Sequence, residues 1–131
     1  MRRGGLLWCA LVAYLAALAY VLLASDERFL DRIAVRVYTT LSDGGLTRVE
    51  PAHYEVALNL LLFVPLGWLG VLVTRRSAAV VAVSCTWISL MVEVLQRGVL
   101  DRPGSVVDVM AAAFGSMLGA ILGAWTSRET A

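Results

Sequence analysis

The sequence contains no lysine, a single histidine and little charge of either sign: Asp, Glu and Arg make up 16% of 131 residues, against 60% apolar residues and a mean hydropathy of +0.78. A water-soluble domain of this length carries about a quarter of its residues as charges. The shortage excludes that class, and the bilayer becomes the solvent in which the fold is to be understood. Eleven arginines against ten acids leave a net charge of +1, so there is no basic surplus to hold nucleic acid. With one histidine, no HExxH spacing and no G-x-S-x-G, neither a metal centre nor a hydrolase nucleophile is indicated, and no cofactor is expected. The two cysteines, Cys9 and Cys85, both fall inside apolar runs, which speaks against a structural disulfide.

What the sequence has is four long apolar runs, Leu6 to Ala24, Val56 to Thr74, Ala78 to Leu95 and Ser105 to Trp125. Each approaches the roughly 20 residues that a spanning helix needs at 1.5 Å per residue. The fold class read from them is an all-α integral membrane protein, a single domain over 1–131 with four transmembrane helices. Between the first two spans, Phe29, Leu30, Ile33, Val37 and Leu41 recur at steps of three and four, which predicts an interfacial amphipathic helix over about 27–42. Asp43-Gly44-Gly45 then reads as a turn. An uncleaved first span fits better than a signal peptide, because its apolar run exceeds a signal h-region and Leu22 stands where a small residue precedes cleavage.

Arginines in the short flanks orient the chain. Arg2, Arg3, Arg75, Arg76 and Arg128 fall on one side and six others on the opposite side, so the tally alone does not decide. Most of those six sit among acids, whereas Arg75-Arg76 fills a tight turn with no acid beside it. Both termini are therefore expected in the cytoplasm of a bacterial cell membrane.

Charged groups at the bilayer centre cost about 2.5–3.5 kcal/mol each on insertion scales, so those that remain call for partners. Glu55 and Asn59 open the second span, Glu93 and Gln96 close the third, and Asp108 lies one turn into the fourth. Topology brings these ends to one side, the outer one, where Arg97, Arg102 and His53 rim them. The spacing of Glu55 to Asn59, Ser89 to Glu93 and Glu93 to Gln96 puts each pair on one helical face. Arg102 is expected within reach of Glu93 and Asp108. Gly115, Gly119 and Gly123 form a GxxxGxxxG ladder for close helix packing, and Pro65 with Gly67 predicts a kink in the second span.

The ordered set Glu55, Asn59, Phe63, Pro65, Gly67, then Ser89, Glu93, Gln96, then Arg102, Ser105, Asp108, then Gly115 and Gly119 resembles the VanZ-like family of small membrane proteins. The likeness runs from about His53 to Gly123, with Ala112 where that family usually has an asparagine. The resemblance implies a link to teicoplanin-type resistance and to cell-envelope lipids. Combined with the residues, it gives a ligand-binding set of Glu55, Asn59, Glu93, Gln96, Arg97, Arg102 and Asp108. The partners are membrane lipids or lipid-linked envelope precursors, with a second copy of the chain or another membrane protein as further candidates. An intramembrane enzyme acting on an envelope lipid, or a structural assembly partner, is the alternative. A proton-coupled four-span exporter is disfavoured because the first span contains no charge.

Overall fold

The structure, a computed structural model, describes residues 2–24, 32–33, 35–37, 39–40, 51–99 and 105–129. Four long helices account for nearly all of it: α1 (Arg2–Ala19), α2 (Pro51–Thr74), α3 (Ala78–Val99) and α4 (Val106–Glu129). With α1 taken together with the helical turn that continues it, each contains a stretch long and apolar enough to cross a membrane, at Gly4–Leu22, Val56–Thr74, Ala78–Gly98 and Val106–Arg128. The four-span expectation holds. Residues 32–33, 35–37 and 39–40 are helical as well, with Ile33 and Val37 half-buried and Arg32 and Arg36 exposed. The remainder of the amphipathic helix expected over 27–42 lies outside the described residues, and with it any placement at an interface.

Local chemistry sets the helix ends. Pro51 occupies the first turn of α2, where a missing N–H costs nothing. At the other end Arg75 adopts φ 55°, and its N–H donates to the Val71 carbonyl at 2.9 Å, closing the helix in a left-handed turn. Ser77 starts α3, accepting from the Val80 N–H on Oγ at 3.4 Å and from the Val81 N–H on its carbonyl at 3.1 Å. Ser105 caps α4 with its carbonyl, which accepts from the Asp108 and Val109 N–H groups at 3.1 and 3.4 Å. α1 departs from the α-helical pattern at its end, where Tyr20–Ala24 form one wider π-helical turn.

The largest interface joins α2 and α4. Gly115 faces Leu60, Gly119 faces Val64 and Gly123 faces Trp68, so the two helices run parallel with backbones almost touching. A Cβ on Gly119 would stand 2.9 Å from the Trp68 nitrogen and closer still to the Val64 carbonyl. The hydrogen that takes its place therefore points at a carbonyl oxygen, the arrangement of a weak Cα–H···O contact. Gly67 answers from α2, seated between the Ser116 carbonyl and the Ala120 nitrogen of α4. Its role is close packing, and α2 stays helical through Pro65. α3 runs antiparallel beside this pair, with Val81 against Gly70. α1 packs on α2 and, through its π-turn, on α3. The apolar core collects Leu11, Leu18, Phe63, Leu66, Leu69, Val81, Cys85 and Ala120 from all four helices.

Candidate functional site

Contacts between helices fix which residues share a level. With Val81 opposite Gly70 on an antiparallel neighbour, counting outwards pairs Asn59 with Val92 and Glu55 with Gln96. In parallel α4, Gly67 sits between Ser116 and Ala120, so two turns earlier Asn59 sits between Asp108 and Ala112. The polar residues thus form tiers. Glu55, Gln96 and Asp108 occupy the first tier, and Asn59, Glu93 and Ala112 occupy a second about 6 Å deeper, one helical turn down. Ser89 and Phe63 follow one turn below.

Burial divides the tiers sharply. Asn59 and Glu93 are 9% and 7% exposed, whereas Asp108 is half-buried and His53 is exposed. On α3 the buried stripe reads Val81, Cys85, Ser89, Glu93 at steps of four, apolar toward one end of the bundle and polar toward the other. Arg97 lies one turn past Glu93, its side chain 53% exposed, and its Nη2 stands 3.1 Å from Glu93 Oε1. That oxygen is fully buried, yet no hydrogen bond of proper geometry reaches it. The two facts are compatible: the guanidinium is near enough for Coulombic attraction, but its N–H bonds are not directed at Oε1. A desolvated carboxylate oxygen thus faces an arginine without a donor aligned to it.

Gln96 also holds the first span. Its Nε2 donates to the Leu22 carbonyl at 2.8 Å, inside the π-turn of the first span. A wider turn shifts carbonyls out of α-helical register, and Gln96 supplies a donor to one of them. Asp108 stands in the first turn of α4 behind Ser105, where the N–H groups of the helix start and their dipole favour a negative charge. Of the remaining expected residues, Glu55 is placed as part of α2, while its side chain and the whole of Arg102 lie outside the described residues. Glu93 pairs with Arg97, and the contacts expected of Arg102 with Glu93 and Asp108 lie outside the described residues. Among the described residues no His, Cys, Asp and Glu cluster has metal-binding geometry. A cavity of about 300 Å³ opens along the connector, lined by Ile33, Arg36, Val37 and Thr40, and shares no residue with the tiers.

A family model described as VanZ/LLP1 matches residues 8–126, nearly the whole chain. The chain belongs to the VanZ/LLP1 family. The match reaches back through α1, further than the motif residues from His53 onward, so the first span is part of the family's fold. Comparison with curated proteins and with solved structures returned no match.

Within this VanZ/LLP1 fold, two contacts that hold α1 escaped sequence reasoning. Tyr14 donates its hydroxyl to the Leu62 carbonyl at 2.5 Å, next to the Leu61 carbonyl whose helical donor Pro65 lacks. Gln96 makes the other, to Leu22. A tyrosine midway along an apolar run is a signal in itself, since a buried phenol requires a hydrogen-bond partner. The partner is not readable, because it depends on which faces of α1 and α2 meet.

Proposed function

We propose that this VanZ/LLP1 protein binds an envelope lipid or a lipid-linked precursor at the outer leaflet of the bacterial cell membrane and thereby contributes to teicoplanin-type resistance. The observation that carries the reading is Glu93, a carboxylate 7% exposed in a membrane-spanning helix, with one oxygen not hydrogen-bonded and a half-exposed arginine beside it. Such a group is costly to keep in a bilayer, and its half-exposed partner Arg97 carries the pair's positive charge toward the end of the bundle, where a headgroup can meet it. The arginine-bearing Arg75–Ser77 turn, the start of α1, the end of α4 and the apolar half of the α3 stripe lie at the opposite end of the bundle. With that end cytoplasmic by the arginine bias, the Glu93 tier faces outward. Asn59, Glu93 and Arg97 hold the ligand in this reading, with Glu55, Arg102 and Asp108 at its rim. Gln96 positions α1 over them.

Expression in a susceptible Gram-positive host tests the reading. Teicoplanin carries a lipid tail and acts close to the membrane, so its inhibitory concentration is expected to rise more than that of vancomycin. Glu93→Gln, at equal protein level, is expected to abolish the difference. Unchanged susceptibility to both drugs with abundant, inserted protein would refute the resistance role and favour an assembly function.

A further inference from the structure

The turn between α2 and α3 carries a residue that helix geometry alone disfavours. Arg75 closes α2 at φ 55°, the left-handed position that glycine fills most easily because a Cβ there costs energy. Its N–H makes the closing bond to the Val71 carbonyl, and Thr74 Oγ1 accepts from the Arg76 N–H at 3.3 Å. Both bonds use backbone donors, which a glycine at 75 would leave in place, so the turn does not need the guanidinium. Strain held at a position that gains nothing structural from it is a feature of functional sites.

The surroundings of Arg75 carry charge of one sign. Arg75, Arg76 and Arg128 are exposed, and none of their guanidiniums is held by an ion pair or hydrogen bond. Counting two turns on from Gly67, seated between Ser116 and Ala120, sets Arg75 between Ala124 and Arg128, so the arginines of α2 and α4 share a level. α1 begins at this end too, with Arg2 and Arg3 in its first turn. Among the described side chains no acid offsets them, since residues 4–8, 71–81 and 123–128 contain none. Trp8, Trp68 and Trp125 stand exposed within about two helical turns of these arginines, as in the aromatic belt that marks headgroup depth.

We propose that this end of the bundle is a second lipid site, selective for phospholipids of net negative headgroup charge, whose phosphate is shared by Arg75, Arg76 and Arg128. It lies at the opposite end of the bundle from Glu93 and does not depend on the reading given for that tier. Guanidinium forks match the oxygens of a phosphodiester. Zwitterionic headgroups offer the same phosphate but bring a cation of their own, which the arginines repel.

The test is native mass spectrometry of the purified full-length protein after equilibration with vesicles of phosphatidylglycerol, cardiolipin, phosphatidylethanolamine and phosphatidylcholine with matched acyl chains, accompanied by thermal unfolding in detergent. Retention of phosphatidylglycerol and cardiolipin is expected to exceed that of the two zwitterionic lipids. It is expected to fall about fivefold for each charge removed in Arg75→Gly, Arg76→Gln and Arg128→Gln, the worth of one arginine at a membrane surface. Arg75→Gly separates binding from folding: glycine relieves the left-handed backbone, so the unfolding midpoint is expected to hold or rise while retention of the anionic lipids falls. A lower midpoint with retention unchanged would make the guanidinium a structural cap and overturn the proposal. Equal retention of all four lipids by the wild-type protein would do the same. So would a preference for anionic lipid that survives all three substitutions together, because the lipid would then be held elsewhere on the bundle.

Discussion

Gln96 and Tyr14 use their polar atoms on backbone carbonyls of a neighbouring helix, Leu22 and Leu62 respectively. Hydrogen bonds between membrane helices contribute about 0.6 kcal/mol on average and up to about 1.7. Tyr14→Phe and Gln96→Leu are each expected to lower stability in detergent by that amount, measured by reversible unfolding. The measurement also separates two roles for Gln96, since a residue that served only to contact ligand would leave the stability of the lipid-free protein unchanged. Ala112 belongs to the same scale. It is 1% exposed in the apolar core, level with Asn59. Ala112→Asn places an amide there, and its unfolding midpoint is expected to fall unless Asn59 accepts the new group as a partner. At this scale the sequence was legible for residue types and helical spacing: steps of four put Asn59 on one face with Glu55 and Glu93 on one face with Ser89, and Asn59, Ser89 and Glu93 are buried. Glu93 found Arg97, four residues on, because an i,i+4 partner is available whatever the helix packs against. The bond from Gln96 to Leu22 was not legible, since that carbonyl belongs to a turn whose π-geometry no periodicity signals.

The α2–α4 pair depends on an unbroken row of small residues. Gly119→Ala directs a methyl group at the Val64 carbonyl and the Trp68 nitrogen, and neither is a flexible side chain that moves aside. The expected loss is about 2 kcal/mol or more, as for overpacking of a tight core. Gly98→Ala in α3 is the control, because nothing lies within 4 Å of the new methyl group, and there the gain in helix propensity is expected to raise stability by about 0.5–1 kcal/mol. Equal effects at the two sites would contradict the packing described. Of the elements, the second span was read to the residue at Val56–Thr74, since Arg75-Arg76 ends the apolar run abruptly. The third and fourth helices run on past the expected Leu95 and Trp125, to Val99 and Glu129; Gln96, Arg97 and Arg128 continue a helix as readily as they leave a bilayer. The glycine ladder was legible as a packing face. That Gly67 completes the face from α2 required the register between the helices.

At the scale of the molecule, four spans place the Arg75–Ser77 turn at one end and the tier of Asn59 and Glu93 toward the other. The proposed function depends on which end faces out. The arginine count alone was balanced, and the orientation was argued from a bare arginine pair in a short turn. His53 and Ser77 are both exposed in the structure and stand at opposite ends of α2. The most direct test is a membrane-impermeant thiol reagent applied to intact cells expressing His53→Cys or Ser77→Cys, each in a background with Cys9 and Cys85 replaced. An outward-facing Glu93 tier predicts that the cysteine at 53 is labelled in intact cells and the cysteine at 77 only after lysis. Labelling at 77 but not at 53 in intact cells would contradict the account, because the buried carboxylate would then face the cytoplasm.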